Sequence, residues 1–246
     1  MIVELILVGI FVGAISGFFG VGGGMLLTPL LFALGFDFKV AIGISIVQMV
    51  FSSVYGSYLN YKKGSLAIGE GMFIGFGGFI GGFIGGSITR SVPEQTLQYM
   101  FLGLVVFAVL RILFSKNTIE DCEVGKPNRW LLFGIGVVIG VIAILLGVGG
   151  SILLLPILIG FLHYPIKKAV SAGLFFVVFS SIAGLVSRLS TGTIDMQNAI
   201  VVATAALAGV IFGIWLKDHI KETHHKLSLI VLYLFVIALM VQKMFL

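Results

Sequence analysis

Apolar runs and short polar links alternate along the whole chain. Apolar segments fall near 2–19, 24–35, 40–60, 68–89 and 96–114. After a polar link at 115–128 they recur near 130–146, 151–162, 169–188, 196–216 and 227–244. Most approach the roughly 20 residues a helix needs to cross a hydrocarbon core of about 30 Å. None shows the apolar–polar alternation of a barrel strand. The pattern predicts an all-α polytopic membrane protein. Two segments, 24–35 and 151–162, offer only about 12 helical positions, or about 18 Å, and cannot span. Each follows a glycine cluster and reads as a half-helix led by unwound backbone. The first run, MIVELILVGIFVGAISGFFG, lacks a basic leader and reads as a retained helix, not a cleaved signal.

The segments repeat as sequences too. GVGGGMLLTP at 20–29 returns as GVGGSILLLP at 147–156, and FSSVYG at 51–56 returns as FSSIAG at 179–184. Gly64 matches Gly192, and Gly81 and Gly85 match Gly209 and Gly213, so order is kept while the offset drifts from 127 to 128. A repeat of this kind decides architecture. It predicts two copies of one unit, at 1–114 and 129–246, joined by the polar linker 115–128. Each copy holds a glycine-broken half-helix and about four membrane helices.

Composition sharpens this. The chain is 59% hydrophobic and 10% charged, against about 25% charged in soluble domains. The net charge of +5 lies dispersed in the links. That excludes a nucleic-acid footprint and fits helix anchoring at lipid headgroups. Charge also bears on topology. If each broken region made one net crossing, the copies would be parallel and Lys and Arg would show no side bias. If the chain enters and returns at each break, the copies are inverted. Lys39, Arg90, Arg188 and Lys243 then fall on one side and the other eleven of fifteen on the opposite side. This positive-inside bias favours inverted repeats with both termini outside.

The chemistry sits at the breaks. Gly22, Gly23 and Gly24, with Gly149, Gly150 and Ser151, precede half-helices whose first amides are unpaired and lie at the positive end of the helix dipole. Such a terminus can hold an anion without a charged side chain. Packing alone is the competing reading. Ser52, Ser53, Ser180 and Ser181 lie mid-helix, free to bond a ligand or their own helix carbonyls. Gln48 is the most polar residue in its run. Phe176 stands at its mate position, which makes Gln48 a candidate for specificity. The run GFGGFIGGFIGGSI at 75–88 carries two glycine rows that allow close helix approach. No Asp or Glu sits mid-span, which argues against a cation substrate or a carboxylate proton relay. Arg188 is expected to snorkel to the interface. GFFGVGGG lacks the phosphate-loop lysine, and the single cysteine, Cys122, makes no internal disulfide. No catalytic group, metal site or cofactor is indicated.

The duplicated G-x-G-G-[GS]-x-[LI]-x-x-P half-helix and the serine-pair helix together resemble the TauE/SafE family of sulfite exporters and sulfonate permeases. The resemblance covers nearly the whole chain. It implies transport of sulfite or small organosulfonates, outward, across the bacterial cytoplasmic membrane, with uptake or a channel as alternatives. The expected partners are a small anionic substrate and the bilayer, a homo-oligomer being compatible, and no nucleic acid. Carried onto this chain, the motif is Gly20, Gly22, Gly23, Gly24 and Pro29, with Gly147, Gly149, Gly150 and Pro156. Ser151 replaces Gly24, and Leu155 replaces Thr28, so the two half-sites are unequal and either one or both could bind.

Overall fold

The computed structural model describes residues 2–20, 22–62, 64, 68–114, 129–160, 166–190, 194–219 and 222–245. These form α1 (Ile2–Phe19), α2 (Gly24–Ala33), α3 (Phe38–Lys62), α4 (Ile68–Thr89), α5 (Glu94–Phe114), α6 (Arg129–Leu146), α7 (Ser151–Gly160), α8 (Ile166–Leu189), α9 (Met196–His219) and α10 (Glu222–Phe245). Among the described residues no strand forms, and seven helices are long and apolar enough to cross a membrane. The chain is a multi-pass helical membrane protein. The linker 115–128, with Cys122, lies outside the described residues, as does Gly192.

Helix α2 is shorter than the apolar pattern suggests, at 10 residues, or about 15 Å, and the described part of α7 is also 10 residues. Gly35 explains the end of α2. It takes φ 97°, and Phe36 N–H donates to the Leu31 carbonyl at 3.1 Å. This is a left-handed glycine cap, closed by a bond reaching back over the last turn.

The halves of the chain are interleaved. Helix α1 lies on α9, and α4 lies on α6 and α8. The pairs α1–α9, α3–α9, α2–α3 and α2–α10 are answered by α6–α4, α8–α4, α7–α8 and α7–α5. Helices α3 and α8 cross at the centre in opposite directions. Arg188, near the end of α8, donates through Nη2 to the Lys39 carbonyl at the start of α3, at 3.1 Å. Leu174, near the start of α8, packs on Gly56, toward the end of α3. Helix α4 runs parallel to α8, Gly71 facing Phe175 and Gly86 facing Ser187.

Small residues set these approaches. A methyl on Gly77, Gly81 or Gly85 would fall on the α6 carbonyls of Phe133, Val137 and Val141. The second row, Gly78, Gly82 and Gly86, faces Phe176, Ser180 and Ser187 of α8. One helix thus meets two neighbours through two glycine stripes. In α9, Gly209 and Gly213 lie on the carbonyls of Ile10 and Ala14 of α1. Lipid supplies no hydrophobic drive between helices, so this close packing carries much of the association.

The four minority cations gather at one end. Lys39 Nζ donates to the Arg90 carbonyl at 3.1 Å, and Arg188 reaches Lys39. Lys243 Nζ sits 5.9 Å from the Phe32 ring centroid. Phe32 in turn packs edge-on against Phe38 at 5.4 Å. At the far end of α3, Lys217 Nζ donates to Asn60 Oδ1 at 2.9 Å.

Candidate functional site

The two breaks share one backbone conformation. Gly20, Gly22 and Gly23 take φ of 70°, 73° and 83°, and Gly147, Gly149 and Gly150 take 68°, 81° and 71°. Any L side chain is strained in this left-handed region, so the conformation requires glycine. The next residue in each break is already helical, which is why Gly24 and Ser151 can differ.

The breaks meet. A methyl on Gly24 would fall on the Gly147 carbonyl oxygen. Thr28, one turn into α2, donates to that same carbonyl at 3.2 Å, and its Oγ1 lies 2.9 Å from Ser45 Oγ, from whose hydroxyl it can accept. Ser45, Gln48 and Ser52 follow at i, i+3 and i+7 along one face of α3. Gln48 lies against the first break: a methyl on Gly23 would be 2.7 Å from both its amide atoms. Its Nε2 donates to Ser52 Oγ at 2.6 Å, while its Oε1 is buried with no partner.

The other candidate side chains separate into two groups. Ser53 donates to the Val50 carbonyl, Ser180 to Phe176 and Val177, and Ser181 to Val178, at 3.2–3.4 Å. These hydroxyls are bonded back into their own helices. Ser151 Oγ is buried with no partner, and its Cβ lies 3.3 Å from where a methyl on Gly173 would sit. Gly22 is covered by Val177, and Gly150 by the Phe176 ring. Thr28, Ser45, Gln48, Ser52, Ser53, Ser151, Ser180 and Ser181 are all fully buried.

Backbone donors complete the site. The first helical bonds of α2 run from Leu26 and Leu27 to the Gly23 carbonyl, at 3.1 and 3.0 Å. The amides of Gly24 and Met25 precede them at the helix start. In α7, Leu153 and Leu154 donate to the Gly150 carbonyl, but the Ser151 amide already donates to Gly149 at 2.9 Å. The named side chains carry no charge. Uncharged donors at a helix start suit an anion and give no electrostatic hold on a cation. No group of three His, Cys, Asp or Glu is placed to hold a metal among the described residues.

Ser45 was not evident from sequence alone. Its spacing from Gln48 and Ser52 was the available signal. Arg188 departs from the expected snorkelling. It is 2% exposed and folded onto the Lys39 carbonyl, because the start of α3 offers it an acceptor inside the bundle.

A helical membrane bundle with paired broken helices meeting at a buried, uncharged polar centre is the construction of a polytopic transporter. The chain belongs to the TauE/SafE family, whose sequence model, described as sulfite exporter TauE/SafE, matches residues 5–240. It is 26% identical to the probable membrane transporter protein MJ0441 of Methanocaldococcus jannaschii, over 92% of this chain and 90% of that protein. It is 24% identical to the probable membrane transporter protein YdhB of Bacillus subtilis, over 85% and 87% of the two chains. It is 25% identical to YjnA of the same organism, over 87% and 89%. No solved structure matches it. Each of these relatives is described as a probable membrane transporter, and this chain is a membrane transporter.

Proposed function

We propose that the protein is a secondary transporter that moves a small sulfur-containing anion, sulfite or a small organosulfonate, out across the cytoplasmic membrane. The observation that carries this reading is the meeting of the two breaks, Gly24 and Thr28 against Gly147, beside the uncharged donors of α2 and Gln48. The family description supports the substrate class. Complete burial of the polar centre supports a carrier over an open channel.

The antiparallel course of α3 and α8, which the sequence offset relates to each other, supports inverted repeats. The gathering of Lys39, Arg90, Arg188 and Lys243 at one end supports placing that end outside, with both termini. Moving one negative charge outward down a membrane potential gains about 2.3 kcal/mol per 100 mV, so export needs no cation partner. The test is flux through purified protein in liposomes against sulfite, sulfoacetate and sulfate, under imposed potentials of either sign. Saturable sulfite or sulfoacetate flux driven by a negative interior is expected. No flux of either anion under any gradient would overturn the reading.

A further inference from the structure

Five positions around the first break have mates around the second: Gly24 with Ser151 and Thr28 with Leu155 at an offset of 127, and Ser45 with Gly173, Gln48 with Phe176 and Ser52 with Ser180 at 128. The two sets differ in what they leave available. On the α2–α3 side, the Gly24 amide precedes the first helical bonds, from Leu26 and Leu27, Thr28 and Ser45 are polar, and Gln48 holds one unpaired amide atom beside Gly23. On the α7–α8 side, the Ser151 amide is engaged by Gly149, Ser180 is bonded to its own helix, and Leu155, Gly173 and Phe176 offer no polar side-chain atom.

Resting on the anion reading above, we propose that the two breaks make one anion site, not two. The ligand is held by the first-turn amides of α2 and by Gln48, and Phe176 fills the mate position so that no second anion binds there.

The state of Gln48 is the central argument. A buried side-chain amide with an unmatched atom is costly, and native interiors rarely keep one without a use. The two amide atoms are equally close to the first break, each 2.7 Å from where a methyl on Gly23 would lie. Turning the amide over lets Oε1 accept from the Ser52 hydroxyl and sets Nε2 toward the break. There it donates beside the amides of Gly24 and Met25, and three N–H donors converge on one oxyanion. In the arrangement seen, the amide is half satisfied: Nε2 is bonded to Ser52 and Oε1 is not bonded.

Phe176 has the opposite character. Its ring lies on Gly150 and on Gly78 of α4, so it occupies both the face of the second break and the space behind it. Ser151 brings a buried hydroxyl with no partner. It has no amide neighbour at position 176 to work with.

The test uses full-length protein in detergent, with sodium sulfite and sulfoacetate as probes and melting temperature and bound radiolabelled sulfite as readouts. Wild type should bind one sulfite per chain and melt higher with it. Gln48→Leu should melt at or above the ligand-free wild type, because an unmatched amide is gone, and should lose the sulfite-induced shift. Ser180→Ala should keep that shift. Two sulfites per chain, or equal loss of the shift in Ser180→Ala, would overturn the single site. A ligand-free Gln48→Leu melting several degrees below wild type would overturn the role of Gln48 and make it a packing residue. If neither anion binds wild type, the anion reading above falls, and the ligand-free melting of Gln48→Leu still decides whether the amide is an unfilled polar contact.

Discussion

The hydroxyl of Thr28 lies 3.2 Å from the carbonyl oxygen of Gly147, across 119 residues of chain. The first half-helix is therefore fastened to the second break and not only to its own. Removing that hydroxyl with Thr28→Val keeps the shape and deletes the bond. Interhelical hydrogen bonds in membranes are worth about 0.6 kcal/mol on average and up to about 2. A loss near 1 kcal/mol in unfolding from detergent is expected, with transport slowed more than stability alone would explain.

Gly24 and its mate Ser151 should respond differently to a methyl group. On Gly24 it would fall on backbone, the Gly147 carbonyl oxygen, which cannot swing aside. Ser151 already carries a Cβ in its place. Gly24→Ala should cost about 1–3 kcal/mol, the range for overpacking, whereas Ser151→Ala should fold as wild type. Melting temperatures of the two variants side by side check this.

The stripes of α4 predict a similar contrast. Gly81 lies on the Val137 carbonyl, whereas nothing stands within 4 Å of a methyl on Gly103 in α5. Gly81→Val should separate α4 from α6 and lower the yield of folded protein in membranes. Gly103→Val should not. Size-exclusion profiles after solubilisation distinguish them.

Much of the fold was legible from the chain. Segment lengths alone separate the ten helices of the described residues, because apolar runs broken by short polar links leave few choices in a membrane. Boundaries were less legible. The pattern near 24–35 runs on past Ala33, but Gly35 enters the left-handed region and stops the helix earlier. The breaks were legible because a left-handed backbone needs glycine, and the need recurs at matched positions. What they touch was not. No local signal joins Thr28 to Gly147 or sets Phe176 on Gly150, because both contacts come from the far half of the chain. The serine pairs illustrate the same limit. Sequence marks Ser53, Ser180 and Ser181 as polar groups in apolar helices, but only the geometry shows their protons given to carbonyls of their own helices.

Topology offers an independent check. Helices α3 and α8 run in opposite directions, and Lys39, Arg90, Arg188 and Lys243 share one end. A tag at the C-terminus should be reached by an impermeant reagent in intact cells. A cysteine placed at the exposed Lys62, in a chain with Cys122→Ser, should react only after the membrane is opened. Labelling in the reverse order would contradict the orientation.

The most direct measurement is counterflow of radiolabelled sulfite into liposomes preloaded with unlabelled sulfite, comparing wild type with Gln48→Leu. The central claim is that a small anion passes through the meeting point of the two breaks, held by α2 amides and Gln48. It predicts saturable, preload-stimulated uptake by wild type and a fall of about tenfold or more in Gln48→Leu, the effect of roughly 1.4 kcal/mol of lost interaction. Wild type that shows no counterflow, or a Gln48→Leu variant that matches it, would contradict the claim.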